Sequence, residues 1–134
     1  MKKDTKEHGD TVKKRLYDGQ YGCSIEATLD VMGGKWKGVI LFHLLKGTKR
    51  FNELRRLLPE VTQRMLTLQL RELEAVGVVH REVYKEVPPR VEYSLTPFGR
   101  SLEPILLLMR DWGDQFMQTL PRKEQRSEGE SLLR

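Results

Sequence analysis

The sequence is poor in cysteine, in aromatic residues and in long apolar runs. Its 134 residues hold one cysteine, Cys23. A disulfide framework within the chain is therefore excluded, which fits a reducing compartment; any disulfide must join two chains or a small thiol. Aromatic residues make up 7%. The longest apolar run, Ile105 to Met109, is far short of the ~20 residues of a membrane-spanning helix. The opening residues MKKDTKEHGD hold no apolar segment of the kind a secretory leader needs. His8, His43 and His80 are scattered, with no HExxH pattern, no paired cysteines and no glycine-rich phosphate loop. These absences argue against an enzyme, and no cofactor, metal or membrane partner is expected. His43, on an apolar helical stretch, reads as a structural histidine rather than a ligand.

What is present is charge. Charged residues reach 32%, with 24 Lys and Arg against 19 Asp and Glu, a formal net charge of +5. An excess of that sign favours polyanionic partners, nucleic acid first among them. The length suits one domain with a modest core. Residues 1–20 read as a flexible charged arm and residues 121–134 as a flexible tail. Residues 21–120 hold the folded domain.

Within it the punctuation is regular. Ser24 is placed to cap a helix from Ile25 to Met32, closed by Gly33 and Gly34. A second helix runs from about Lys35 to Lys46, with Trp36, Ile40 and Leu44 on one stripe and Gly38 as an unexplained local cost. FNELRRLL (residues 51–58) forms a short third helix that Pro59 ends. Thr62 caps a fourth, which Gly77 terminates. Residues 78–85 and 90–95 alternate as two antiparallel strands around a stiff Pro88–Pro89 loop. Thr96–Pro97 opens a long last helix to about Leu120, with a kink at Pro104. Two short helices joined by a tight turn and followed by a hairpin describe a winged helix-turn-helix, mainly α with a small β-hairpin.

The fourth helix carries the functional signal. Leu66, Leu70 and Leu73 fall at i, i+4 and i+7 and form its core face. Arg64, Thr67, Leu68 and Arg71 lie opposite, and Gln63 projects from the first turn. Arg pairs bidentately with guanine, Gln with adenine, and a Thr methyl or Leu packs on a thymine methyl. On an isolated helix the same face would read as ordinary solvated surface; the turn, the wing and the basic flanks favour base reading of double-stranded DNA. Lys35, Lys49, Arg50 and Arg55 stand at helix starts and loops where phosphates would be met, and Lys85 and Arg90 flank the wing tip. Glu72, Glu74 and Glu86 make that field uneven.

Four segments also resemble the HxlR family of bacterial transcriptional regulators, themselves related to the MarR type. They are CSIEATLDVMGGKW (residues 23–36), RFNELRRLLP (50–59), MLTLQLRELEAVGVV (65–79) and YKEVPPRVEYSLTPFGRSL (84–102). The resemblance spans about residues 21–117. It implies a cytoplasmic, nucleoid-associated homodimer with a winged-helix fold that binds a roughly palindromic operator, repression being the simpler mode. It places the recognition helix after Thr62 and the wing tip at EVPPR (residues 86–90). Cys23 matches a cysteine that some members use to sense oxidants, quinones or aldehydes. The family usually follows it with proline; Ser24 stands here instead, which removes a conformational restraint on the thiol. Cys23 thus has two readings, an inert half-buried thiol or a reactive, redox-sensing thiolate.

The last helix supports dimerisation independently. Leu102, Ile105, Leu106, Met109, Trp112, Phe116 and Leu120 form a stripe, and Leu107 and Leu108 add apolar surface beside it. A helix apolar on more than one side needs more than one partner. The competing reading of the whole chain is a winged-helix adaptor that binds protein and not DNA. Operator, target genes and small-molecule effector are not legible.

Overall fold

The computed structural model describes residues 21–121; the readings of residues 1–20 and of the tail beyond 121 lie outside them. The described residues fall into two compact units, one ending at Glu103 and the next beginning at Pro104.

In the first unit, α1 (Ser24–Met32) and α2 (Lys37–Leu45) precede a two-residue strand, β1 (Lys49–Arg50). Then come α3 (Phe51–Leu57), α4 (Gln63–Ala75), β2 (Val79–Tyr84), β3 (Arg90–Leu95) and the short α5 (Pro97–Arg100). This is the winged helix-turn-helix that the periodicity predicts. The core is aliphatic. Ile40, Leu41 and Leu44 of α2, Leu54 of α3 and Leu66, Leu70 and Leu73 of α4 are almost wholly buried, with Val78, Val79 and Tyr93 contributed by the sheet side. Each buried leucine stabilises the fold by about 1.5–3 kcal/mol. The α2 stripe is Ile40, Leu41 and Leu44; Trp36 caps the helix and is half-buried, because α2 begins two residues later than the sequence suggested.

Three further details differ from the sequence reading. Cys23, and not Ser24, is the N-cap of α1; the Glu26 carboxylate accepts the Gly22 and Cys23 backbone N–H groups at 3.0 and 3.2 Å. The sheet has three strands in the order β1-β3-β2, not two, with Lys49 opposite Tyr93 and Arg50 opposite Glu92. Two residues are too few for an alternation signal, so β1 was read as loop. The last helix is broken. Ser101 caps α5, and a new helix, α6 (Glu103–Gln118), starts one residue before Pro104. Proline lacks an N–H and disfavours helix at the residue before it, so it is tolerated in a first turn and does not kink a continuous helix here.

Thr96 ties α5 to the end of α4. Its hydroxyl donates to the Gly77 carbonyl at 2.6 Å and accepts from Gly99 N–H at 2.9 Å, while its own N–H donates to Val78 O at 3.1 Å. A Cβ on Gly99 would fall 2.0 Å from the Val78 carbonyl oxygen; only glycine permits that approach. Gly38 is less constrained, since a Cβ there would meet the Met32 carbonyl oxygen at 3.4 Å. His43 is half-buried with its ring edge-on to Phe42 at 6.1 Å. Burial first, then Lys46 and Lys49, hold its pKa below the ordinary value, which fits a neutral structural histidine.

The second unit contains α6 from Pro104 onward. Leu106 is buried. Ile105, Leu108, Met109, Trp112, Phe116, Met117 and Leu120 are exposed, and the Trp112 and Phe116 rings stack at 5.6 Å. Leu102, placed in the same stripe by sequence, lies in the turn before α6 and is half-buried.

Candidate nucleic-acid interface

The turn between α3 and α4 is built by chemistry that the sequence displays. Pro59 follows the last turn of α3, Val61 N–H donates to Leu58 O at 3.1 Å, and Val61 itself is buried as the anchor of the turn. Thr62 then caps α4, its hydroxyl accepting the Met65 N–H at 3.0 Å. Gly77 takes a φ of 84° just past the C-cap, the left-handed conformation that glycine adopts without steric cost.

With Leu66, Leu70 and Leu73 facing inward, α4 exposes Gln63, Arg64 and Arg71 to solvent, and Thr67 and Leu68 lie half-buried beside them. The Thr67 hydroxyl donates to the Gln63 carbonyl at 2.9 Å. Its proton is therefore engaged, which leaves its acceptor lone pairs and its methyl for an approaching ligand. Among the described residues neither Arg64 nor Arg71 has an ion-pair partner. Two unpaired guanidiniums, an amide and apolar contacts on the solvent side of a capped helix can read base edges in a major groove.

What fixes α4 is less visible in the sequence. Lys37 Nζ of α2 lies 2.6 Å from Glu72 Oε2 of α4, with both side chains over nine-tenths buried. Glu72 is thus removed from the acidic field assigned to this face, while Glu74 remains exposed.

The basic flanks divide. Lys35, Arg55 and Lys85 are exposed and Lys49 is half-buried. Lys35 Nζ sits 4.9 Å over the Trp36 ring. Asn52 and Arg56, which the sequence reading passed over, line an open depression with Arg55; the doubled arginine in LRRL was the available signal. At the wing, Val87, Pro88 and Pro89 project into solvent. Arg90 does not project with them. Its guanidinium lies 4.0 Å over the Tyr84 ring and 3.2 Å from Glu86 Oε1, so it shapes the wing from within. Cys23 is exposed, and not half-buried.

A family model described as HxlR-like helix-turn-helix matches residues 31–121. The chain belongs to the HxlR family. The resemblance drawn from its motifs is thereby confirmed, and Cys23 lies outside the matched span. The uncharacterized HTH-type transcriptional regulator YdeP of Bacillus subtilis is 62% identical over 112 residues, covering 84% of this chain and 88% of that protein. A solved structure of the redox regulator HypR in its oxidized form is 68% identical, covers 69% of this chain and 96% of that one, and superposes with a TM-score of 0.67. HypR in its reduced form gives 67% identity and a TM-score of 0.68, covering 69% of this chain and 92% of that one. This HxlR member is a DNA-binding transcriptional regulator with a winged helix-turn-helix fold, and not an enzyme. No helix among its described residues is long and apolar enough to cross a membrane.

Proposed function

We propose that this HxlR protein is a cytoplasmic, nucleoid-associated repressor that binds a roughly palindromic operator as a homodimer and responds to oxidants or electrophiles through Cys23. The observation that carries the DNA reading is the unpaired, solvent-facing set Gln63, Arg64 and Arg71 with Thr67 and Leu68 beside it, on a helix whose other face is locked into the core. Lys35, Lys49, Arg55 and Lys85 supply phosphate contacts that set register, while Arg50 is drawn toward Glu92 and Arg90 holds the wing in shape. Repression needs only occupancy of the operator.

Dimerisation is supported by the exposed stripe of α6. Ile105, Met109, Trp112 and Phe116 are between 41% and 67% exposed, and large apolar side chains gathered on one exposed helix mark an interaction surface. A twofold pair would set its recognition helices about one helical turn of DNA apart, ~34 Å, to meet two half-sites.

The thiol reading is supported by exposure, by the absence of a second cysteine, and by the similarity to a redox regulator solved in two redox forms. A reversible disulfide of Cys23 must join two chains or a small thiol, and it would act on the N-cap of α1. Cys23→Ser is expected to keep the affinity of the reduced protein for its operator and to abolish the loss of binding on diamide treatment, measured by fluorescence anisotropy. A diamide response that persists in Cys23→Ser would remove the thiol from the account.

A further inference from the structure

The antiparallel register gathers an unusual set of charges on one face of the wing. Arg50 is opposite Glu92, Glu82 is opposite Glu92, and Tyr84 is opposite Arg90. Directly opposed residues and residues two apart share a face, so Arg50, Glu82, Tyr84, Arg90 and Glu92 stand together. The other face carries the buried Val79 and Tyr93. At the centre is Glu92. Its Oε2 lies 3.7 Å from Arg90 Nε and 4.0 Å from Arg50 Nε, and its side chain is only 23% exposed. Glu86 holds the far side of Arg90 at 3.2 Å, and the Tyr84 ring stacks against it.

Two roles are open to such a cluster. As a stabiliser it is weak: the Arg50 side chain is 57% exposed, the contacts to Glu92 are long, and partly solvated ion pairs contribute little. As a feature of a protein that must approach a polyanion it is costly, because two carboxylates, Glu86 and Glu92, are paired with Arg90 and the second also reaches Arg50. Arg50 is the N-cap of α3, and Arg90 opens β3 at the wing. Leaving both free would raise affinity for every duplex alike, since phosphate pairing carries no sequence information.

We propose that Glu92 is an affinity-limiting positioning residue: by holding Arg90, and more loosely Arg50, to the sheet it withholds them from the phosphates of any duplex. Phosphate contact is then left to Lys35, Lys49, Arg55 and Lys85. This rests on the DNA reading above and goes beyond it, because it assigns a limit on sequence-independent binding to a carboxylate of the wing.

The test is the salt dependence of binding to a random-sequence duplex, followed by anisotropy between about 50 and 200 mM salt. Glu92→Gln is expected to bind that duplex several-fold more tightly than wild type. Its slope of log affinity against log salt should steepen by about 0.9 for each arginine released. Glu82→Gln removes the same charge from the same face without freeing an arginine, and is expected to keep the wild-type slope. Adding Arg50→Ala to Glu92→Gln should take back part of the gain, and Glu92→Asp, which keeps the charge, should restore the wild-type slope. An unchanged slope in Glu92→Gln, or equal steepening in Glu82→Gln, would overturn the proposal while leaving the DNA reading intact. A wild-type protein with no salt-sensitive affinity for any duplex would overturn both.

Discussion

Glu72→Ala is expected to lower the free energy of unfolding by about 3–5 kcal/mol, read from urea melts of the single variant against wild type. The argument is one of desolvation. Lys37 and Glu72 face each other at 2.6 Å with their side chains 9% and 4% exposed. Removing the carboxylate strands an ammonium in a site that water does not reach, whereas the pair together roughly offsets its own desolvation. The double variant Lys37→Met, Glu72→Leu should therefore recover most of the loss, since an apolar pair of similar volume needs no solvation. A domain of this size has about 5–15 kcal/mol of stability in all, so the single variant approaches the threshold of folding. A loss below about 1 kcal/mol would contradict the burial of the pair and match a solvated one. The consequence reaches function because Glu72 lies on α4, one residue from Arg71. The pair fastens α4, the helix proposed to read DNA, to α2, and a loosened α4 would present its side chains over a wider range of orientations.

Arg64→Ala combined with Arg71→Ala is expected to erase sequence preference while leaving the fold unchanged. Each bidentate arginine contact to a base edge discriminates by about 1–3 kcal/mol, so losing two amounts to roughly 2–6 kcal/mol between operator and random duplex. Both side chains are exposed and have no ion-pair partner among the described residues, so truncation creates no cavity and strands no partner there. The melting temperature should stay within the small range of surface substitutions. Competition of labelled operator against random duplex measures the ratio directly. A double variant that keeps its discrimination would shift base reading to Gln63, Thr67 and Leu68, or to the wing.

Helix α4 is legible in the sequence because three local signals agree on it. The leucine spacing, the Thr62 cap and Gly77 at the end each report short-range physics, and the structure has all three. The α3–α4 turn and the β2–β3 hairpin were legible for the same reason. What failed were pairings made across distance. β1 exists only because β3 offers it a partner, and two residues leave no pattern of their own. Glu72 reads in the sequence as part of an acidic field and nothing there marks Lys37; only the packing of α2 on α4 brings them together and buries them. In the sequence Arg90 reads as a flank of the wing tip, and the strand register that stacks it on Tyr84 is invisible until the hairpin closes. The break before α6 could have been anticipated from Pro104, whose preceding residue resists helix. The apolar continuity from Leu102 to Leu120 masked it.

The proposed function calls for a dimer that places two reading helices on one duplex. The measurement that tests this most directly is selection of bound duplexes from a random DNA library at about 150 mM salt, a range in which binding through phosphates alone is weak. The account predicts enrichment of an inverted repeat with half-sites about one helical turn apart, lost in the Arg64→Ala, Arg71→Ala variant. Recovery of no sequence above background by the intact, folded protein would contradict it and would point to a winged helix that binds another protein.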